Sequence, residues 1–310
     1  MRSPSVPVPP ERLTRPSAPR SLVLGEYRLT HIPDGLVQLR PAGWFPGLGT
    51  DALLGHEDHL DPDGCLVAGI GGLLVEYRNR ALLIDTGYGP RRLTASQTHP
   101  ALGVLEGGGL AAALAEAGRD PASIDTVAFT HLHDDHVGWA LCAGSEGPFF
   151  ARASFVLADT EWRTSGRSTL PAPLHSRVTP ASDGDEIFPG VTLREAPGHT
   201  GGHARYVLDF GGAGAAPGTD GGGQGAPAGT APGRGRLLVA GDVLHSPLQV
   251  AHPEWDVFFD ADRESALRSR TVFLEDASAP DTLCYAGHFA DVVFGRVRKD
   301  GEGHTWTPLH

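Results

Sequence analysis

Histidine and aspartate concentrate in one short stretch of the chain, THLHDDHVG, which spans Thr130–Gly138. His131 and His133 alternate, so both side chains can reach one ion, whereas Asp135 and His136 follow a turn and can face a second. Imidazole nitrogen and carboxylate oxygen are the ligands that zinc and similar divalent ions take in proteins. The stretch therefore predicts a metal-binding loop, and the alternative is a polar loop that is rich in histidine by chance.

Three further segments share one pattern, in which an apolar run is followed by a glycine and then by a side chain that can bind metal. The three candidate ligands are His199 in APGHT, Asp242 in AGDV and His288 in AGHF. A glycine lets the backbone turn sharply, so that the next side chain can point into a shared site. Together with the first stretch, these side chains suffice for a pair of metal ions bridged by one carboxylate.

The candidate ligands stand at the ends of short apolar runs, and strand ends are where a rigid scaffold places chemistry. Strands are predicted at Tyr27–Ile32, Leu66–Val75, Ala81–Ile84, Ile124–Thr130, Phe155–Leu157, Val191–Glu195, Val207–Phe210, Leu237–Ala240 and Thr282–Ala286. Apolar residues at helical spacing predict amphipathic helices over 110–117 and 263–275. Strands and helices are interspersed along the chain.

Composition restricts the partners of the protein. The 310 residues carry 25 Lys and Arg against 37 Asp and Glu, a net charge of −12, and such an acidic surface repels phosphate backbones. The chain shows neither a transmembrane run nor an apolar signal segment. The three widely spaced cysteines fit neither a disulfide framework nor a thiolate zinc site. We therefore predict a cytoplasmic protein with a small-molecule substrate and no nucleic-acid or membrane partner, and consider a homodimer as its assembly.

Two stretches lack a periodic apolar pattern. Residues 1–21 are rich in proline and arginine and are predicted to form a flexible tail, or a strap laid on a neighbouring part of the molecule. Residues 211–235 contain 11 glycines and 6 alanines and are predicted to be a disordered insert at a hairpin tip. Because candidate ligands lie on both sides of the insert, residues 22–310 are predicted to form a single domain.

On these motifs the sequence resembles the metallo-β-lactamase superfamily of hydrolases, from about residue 22 to the C-terminus. The resemblance implies an α/β fold, a four-layer αββα sandwich of two mixed β-sheets with the metals at one edge. It implies a first ion bound by His131, His133 and His199, a second bound by Asp135, His136 and His288, and Asp242 as the bridge. It also implies that Asp85, in LIDTG, orients the ligand loop. The implied cofactors are two divalent ions, zinc first, with iron, manganese or cobalt as alternatives.

Within the superfamily, the stretch Gly241–Val250 resembles the lactonase and methyl-parathion-hydrolase-like branch. Acyl-homoserine-lactone lactonases commonly carry a tyrosine three residues after the bridging aspartate, where it steadies the substrate carbonyl. His245 stands at that position in this chain, as in the parathion-hydrolase-like members. This difference from the lactonases weakens the assignment of an acyl-homoserine-lactone substrate. Hydrolysis of an ester or another lactone is still predicted.

The predicted function is that of a dinuclear metal-dependent hydrolase, in which a metal-bridging hydroxide attacks an ester or lactone bond of a small molecule. Two side chains are predicted to take part in catalysis: Asp135 as a proton shuttle to the leaving group, and His245 as a hydrogen-bond donor to the developing oxyanion. The alternatives are a phosphotriester, aryl ester or thioester hydrolase, and an iron-dependent redox member of the same fold. A nuclease is disfavoured by the charge, and a catalytically inactive binding protein by the complete ligand set.

Overall fold

The computed structural model of the protein describes residues 8–144, 147–211, 235–301 and 303–309. The predicted disordered insert lies almost entirely outside these residues, as do the first seven residues of the predicted tail. Among the described helices, none is long and apolar enough to cross a bilayer.

The described strands carry the labels used below. They are β1 (Arg20–Leu24), β2 (Tyr27–Leu39), β3 (Leu66–Tyr77), β4 (Arg80–Ile84), β5 (Arg92–Leu93), β6 (Leu102–Glu106), β7 (Thr126–Ala128), β8 (Ala143–Gly144), β9 (Gly147–Pro148), β10 (Ser154–Ala158), β11 (Val178–Ala181), β12 (Glu186–Phe188), β13 (Val191–Glu195), β14 (Ala204–Asp209), β15 (Arg236–Val239), β16 (Thr282–Tyr285), β17 (Phe294–Asp300) and β18 (Gly303–Pro308). Every strand predicted from the sequence overlaps one of these strands.

The helices are mostly short. They are α1 (Pro41–Trp44), α2 (Leu110–Glu116), α3 (Asp134–Val137), α4 (Asp159–Glu161), α5 (Arg167–Thr169), α6 (Leu248–Ala251) and α7 (Arg263–Ala277), with a π-helical turn at Trp162–Gly166. Single 3-10 turns occur at Pro10–Arg12, Thr50–Leu53, Glu57–His59, Pro121–Ser123, Gly138–Leu141, Ala172–Arg177 and Gly241–Val243. The two predicted helices correspond to α2 and α7, and the Asp262 side chain caps α7 by accepting a hydrogen bond from Ser265 N.

The strands form two large mixed sheets. The first has the order β11-β10-β7-β4-β3-β2-β6-β5, with β1 paired to β2, and the second has the order β12-β13-β14-β15-β16-β17-β18. The first sheet contains parallel pairs around β7 and β10, and in the second sheet β15 and β16 run parallel. A separate two-stranded ladder joins β8 to β9. The prediction of two mixed sheets is confirmed.

Apolar side chains place the two sheets between two helical layers. Strand β4 shows why, because alternate residues of a strand face opposite sides of the sheet. Leu82 and Ile84 pack between the sheets with residues of the second sheet such as Tyr206, whereas Ala81 and Leu83 pack against α2. On the far side, Phe273 and Leu274 of α7 cover the outer face of the second sheet. The layers are therefore helix, sheet, sheet and helix, as the αββα prediction requires.

The segment before β2 lies against the domain. Residues 8–21 include the turn at Pro10–Arg12 and the start of β1 at Arg20. Arg15 and Arg20 bind the buried carboxylate of Asp291, and Arg12 binds its backbone oxygen. Of the two alternatives given for the N-terminal segment, residues 8–20 thus fit the strap laid on a neighbouring part of the molecule. The proline-rich composition gave no sign of a partner that lies some 270 residues further along the chain.

His31 lies inside the first sheet, with 1% of its surface exposed, and its Nδ1 is 2.8 Å from the hydroxyl of Tyr285. His31 is therefore a core residue of the fold, and not a surface group. Burial, followed by the charge of Arg20, lowers the pKa of His31 to about 3.

We expect this buried imidazole to make the protein sensitive to acid. An unfolded chain takes up a proton at His31 below pH of about 6.5, which the folded protein resists down to about 3, so stability is complete above 6.5 and falls as the pH is lowered. His31→Gln keeps a hydrogen-bonding group for Tyr285 but cannot titrate. Between pH 6 and 4, its unfolding free energy, measured with urea, should depend on pH less steeply than the wild type by about 1.4 kcal/mol per pH unit. Equal slopes for the two proteins would contradict the assignment.

Candidate metal centre

The candidate ligands lie at the ends of four strands, all at one edge of the sandwich. His131 and His133 follow β7 and lead into α3, which carries Asp135 and His136, while the other three ligands follow β13, β15 and β16. The three candidate ligands after β13, β15 and β16 each follow a glycine that was expected to allow a sharp turn. The backbone requires glycine at two of these three positions. Gly241 has a φ of 56°, and a Cβ on Gly198, whose φ is 136°, would lie 2.1 Å from Ala266 N. Gly287 needs no such freedom, because a Cβ there would make only ordinary contacts.

The first group of ligands is a triad of imidazoles beside Asp242. His133 Nδ1 lies 2.9 Å from His131 Nε2 and 3.0 Å from His199 Nε2. His199 Nε2 is in turn 3.3 Å from Asp242 Oδ2. The three nitrogens and one carboxylate oxygen converge closely enough to share one ion.

The second group faces the other oxygen of the same carboxylate. Asp242 Oδ1 lies 3.2 Å from His136 Nε2 and 3.1 Å from His288 Nε2. Asp135 Oδ2 is 3.7 Å from His136 Nε2 and 3.8 Å from His288 Nε2. All seven ligands expected from the sequence are thus brought together, and Asp242 lies between the two groups with one oxygen toward each.

Hydrogen bonds on the outer side of four imidazoles leave Nε2 free toward the centre. His136 Nδ1 donates to Asp85 Oδ2 at 2.9 Å, His199 Nδ1 to Asp260 Oδ1 at 3.1 Å, and His288 Nδ1 to Gly69 O at 2.7 Å. For His131, the partner is Thr130, whose hydroxyl donates to Asp85 and can therefore accept from His131 Nδ1 at 3.1 Å. Such partners fix the tautomer that presents a lone pair to a metal.

The donor set fits divalent metal ions. His136 Nε2 and Asp242 Oδ1 are buried and have no hydrogen-bond partner among the described residues, which is costly for polar atoms inside a protein. Imidazoles with lone pairs directed at one point repel one another unless a cation stands between them. A divalent ion about 2.0–2.2 Å from each donor would satisfy these atoms together.

The pKa values of side chains at the centre also indicate that positive charge is favoured there. Burial opposes protonation of His288 most strongly, but the nearby carboxylates outweigh it and raise its pKa to about 9. Burial also opposes ionisation of Asp242, yet the surrounding histidines hold the pKa of its carboxyl well below the usual value. Positive charge is therefore favoured beside Asp242, as a proton on an imidazole or as a bound cation.

Two residues hold the ligand loops in register. Glu161, at the end of α4 and just before the π-helical turn, accepts hydrogen bonds from Leu132 N at 3.2 Å and from the Thr200 hydroxyl at 2.8 Å, so it joins the loops that carry His131 and His199. His203 Nε2 accepts a hydrogen bond from Asp242 N at 2.9 Å. This bond orients the turn after β15 that carries Asp242. No local pattern marks Glu161 in the sequence, because its partners lie 29 and 39 residues away.

Asp260 was also missed. Its Oδ1 holds His199, and its Oδ2 is 3.3 Å from Arg270 Nη2. Arg270, on α7, is fully buried and also donates to the carbonyl oxygens of Val243 and Pro253. One arginine thus connects the outer helix to the loop that follows Asp242. The helical pattern of α7 gave no signal of this role, since a charged side chain at that position reads as solvent-exposed.

His245 lies beside the two groups and belongs to neither. Its Nε2 is 3.1 Å from Asp242 Oδ2, and its ring stacks on that of His288 with the centroids 5.6 Å apart. Its Nδ1 is buried and has no hydrogen-bond partner among the described residues. On its other side the ring meets Trp44 edge-on, at 5.2 Å between centroids. The structure therefore places His245 between the two groups of candidate ligands and the indole ring of Trp44.

Comparisons with known proteins agree with this architecture. Residues 73–216 match the family model of the metallo-beta-lactamase superfamily, a region that contains five of the seven ligands and ends before Asp242 and His288. No curated protein sequence matches the chain.

Several solved structures share the fold. AidC, described as a dizinc quorum-quenching lactonase, is 20% identical with a TM-score of 0.71 over 95% of this chain and 98% of that one. AbOPH, described as a hydrolase in the beta lactamase superfamily, is 21% identical with a TM-score of 0.72 and the same coverages. A probable metal-dependent hydrolase from Staphylococcus aureus is 18% identical with a TM-score of 0.69, over 93% of this chain and 99% of that one.

Asp260→Asn should weaken metal binding by about 10- to 100-fold, because an amide no longer holds the His199 ring as a charged acceptor does. The measurement is a competition titration of the metal-free protein against a chelator. Asp256→Asn, the same change on the same loop at a residue that does not contact a ligand, is the control and should leave the affinity unchanged. Equal affinities for the two variants would show that Asp260 does not support the centre.

Proposed function

The chain carries a domain of the metallo-β-lactamase superfamily, a superfamily of metal-dependent hydrolases, and on that premise we propose a dinuclear hydrolase that acts on an ester or lactone bond of a small molecule. The observation that carries the proposal is the position of Asp242, with one oxygen toward each group of ligands. A single ion at the first group would leave two buried imidazoles and a carboxylate of the second group without a partner. Zinc is the metal we propose for both positions.

The residues around the ions supply proton transfer and orientation. When bound, two divalent ions supply a Lewis acid for the substrate and a water that is nucleophilic near neutral pH. Of the two carboxylates in the ligand set, Asp135 is the one with access to solvent, at 23% exposure compared with 5% for Asp242. It can therefore accept the proton of the attacking water and pass it to the leaving group.

His245 is proposed to stabilise the oxyanion. It lies next to the ligands without belonging to either group, is buried, and keeps one ring nitrogen without a hydrogen-bond partner in the described part of the chain. Where Nδ1 carries a proton it is a buried donor held in place before the reaction, and such a donor is worth more than the same donor in water. His245 N donates to Gln249 Oε1 at 2.8 Å, and this bond fixes the backbone from which the ring projects.

An aromatic wall, formed by Trp44, His99, Phe258 and Phe259, borders the centre on the side of His245. Trp44 lies 5.7 Å from Phe259 and His99 lies 4.5 Å from Phe258, measured between ring centroids. Phe258 and Phe259 are 43% and 36% exposed, which is high for large apolar side chains. The wall favours a substrate with an apolar or aryl group beside the scissile bond. It is the observation that keeps aryl esters and phosphotriesters as the second candidate.

A separate observation supports the hypothesis that the substrate is a lactone. AidC is described as a lactonase, and its structure covers nearly the whole of this chain. The net charge of −12 supports a small-molecule substrate in place of nucleic acid, and a cytoplasmic location remains part of the proposal. The complete second group of candidate ligands disfavours an iron-dependent redox protein of the same fold. Metal analysis of the purified protein distinguishes that alternative from the proposed dinuclear hydrolase.

We expect metal-replete protein to contain two ions per chain by elemental analysis and to hydrolyse members of a panel of lactones, aryl esters, phosphotriesters, thioesters and β-lactams. Asp242→Ala should hold fewer than one ion, because both groups lose their shared oxygen donor. Asp58→Ala removes an exposed carboxylate outside the centre and should keep two ions. One ion or none in folded, metal-replete wild-type protein would refute the dinuclear proposal.

His245→Ala should lower kcat by about 10²-fold on the best substrate, the usual cost of one oxyanion donor, and should leave the metal content unchanged. His252→Ala, a histidine on the same segment that does not contact the ligands, is the control for activity. The proposed role would be wrong if the His245 variant kept full kcat, or if it lost a metal ion.

A further inference from the structure

The loop that carries His288 is held from outside by the strap, residues 8–20. Asp291 stands three residues after this ligand, and its carboxylate is 2% exposed. Arg15 donates to Asp291 Oδ2 at 2.8 Å and Arg20 to Oδ1 at 2.5 Å, so each oxygen is bound by its own guanidinium group. Arg12 donates to the backbone oxygen of Asp291, and Arg12 O accepts from Asp291 N at 2.9 Å.

The backbone between ligand and aspartate has a conformation that needs such support. Ala290 has a φ of 40°, in the left-handed region that residues with a Cβ rarely adopt. A strained residue of this kind persists only where its surroundings determine it. Ala290 N bonds to His288 O at 2.9 Å, so the strained turn and the ligand are parts of one tight structure.

Apolar contacts fix the other side of the strap. Val8 and Leu13 pack against the buried cluster that contains Phe289 and Val292, the residues on either side of Ala290 and Asp291. The strap therefore contacts the loop through its backbone, through one buried carboxylate and through its apolar side chains. No comparable contact exists among the described residues between the strap and the loops of the first group.

We propose that the strap is a positioning element for the second metal ion, because Arg12, Arg15 and Arg20 hold Asp291 and thereby fix the turn from which His288 projects. The inference rests on the proposed dinuclear centre. It assigns to a proline- and arginine-rich segment a specific effect on one of two neighbouring ions.

The test compares full-length variants. Arg15→Ala/Arg20→Ala removes both guanidinium groups from the Asp291 carboxylate, Arg15→Lys/Arg20→Lys keeps the charge without the planar fork, and Arg92→Ala breaks an exposed ion pair with Glu106 in the first sheet as the control. Stepwise titration of each metal-free protein with Co²⁺, followed by absorption and by competition with a chelator, gives separate dissociation constants for the first and second ions. Hydrogen exchange of the Asp291 and Val292 amides in the metal-free proteins reports the loop independently.

For the alanine pair, we expect the dissociation constant of the second ion to rise about tenfold and that of the first to stay within about twofold, with faster exchange at both amides. For Arg15→Lys/Arg20→Lys, the dissociation constant of the second ion should lie between those of the alanine pair and the wild type. The Arg92 variant should bind both ions as the wild type does. An equal loss of both ions, or unchanged binding of the second, would overturn the role of the strap while leaving the dinuclear proposal intact. Binding of only one ion by the wild type would overturn both.

Discussion

A single buried carboxylate, that of Asp242, is the constraint on which the site depends. Its two oxygens lie within 3.3 Å of four imidazoles, three from other loops (His136, His199 and His288) and one, His245, from its own. Burial makes these interactions strong and makes any misplacement costly, because little water is present to compensate. Both sheets must therefore end at one edge, with β7 of the first and β15 of the second in fixed register.

The support of the centre is divided between the two sheets. Asp85 follows β4 and Gly69 lies in β3, both in the first sheet, whereas Asp260 is held by Arg270 from the helix that covers the second. The ligand geometry therefore depends on how the two sheets pack as well as on each loop. This dependence gives the apolar layer between the sheets a direct part in the chemistry, since a shift there would move the ligands of one group relative to the other.

The side chains that converge at the centre could be predicted from the sequence, whereas most residues that support them could not, for a physical reason. A ligand after a strand and a glycine is marked by its covalent neighbours, so His199 and Asp242 could be found from local pattern. Asp260 and Asp291 act through partners from 10 to 279 residues away, which no local pattern records. The outer strands were also missed, because β17 and β18 carry alternating polar residues and expose one face. Burial of His31 depended on the same long-range packing.

The hairpin between β14 and β15 opens at the opposite end of its strands from the centre. Ala204, at the start of β14, adjoins Thr130 beside the ligand loop, whereas Phe210 at the other end bonds to Gly235 at 3.0 Å. The two ends of the intervening segment are thus tied together, whatever its length. Because these ends are joined, we expect a change in the length of that segment to leave the register that positions Asp242 unchanged. The two ends of the hairpin are therefore constrained to different degrees. The end at Ala204 borders the loop of His131, whereas the end at Phe210 contacts no candidate ligand among the described residues.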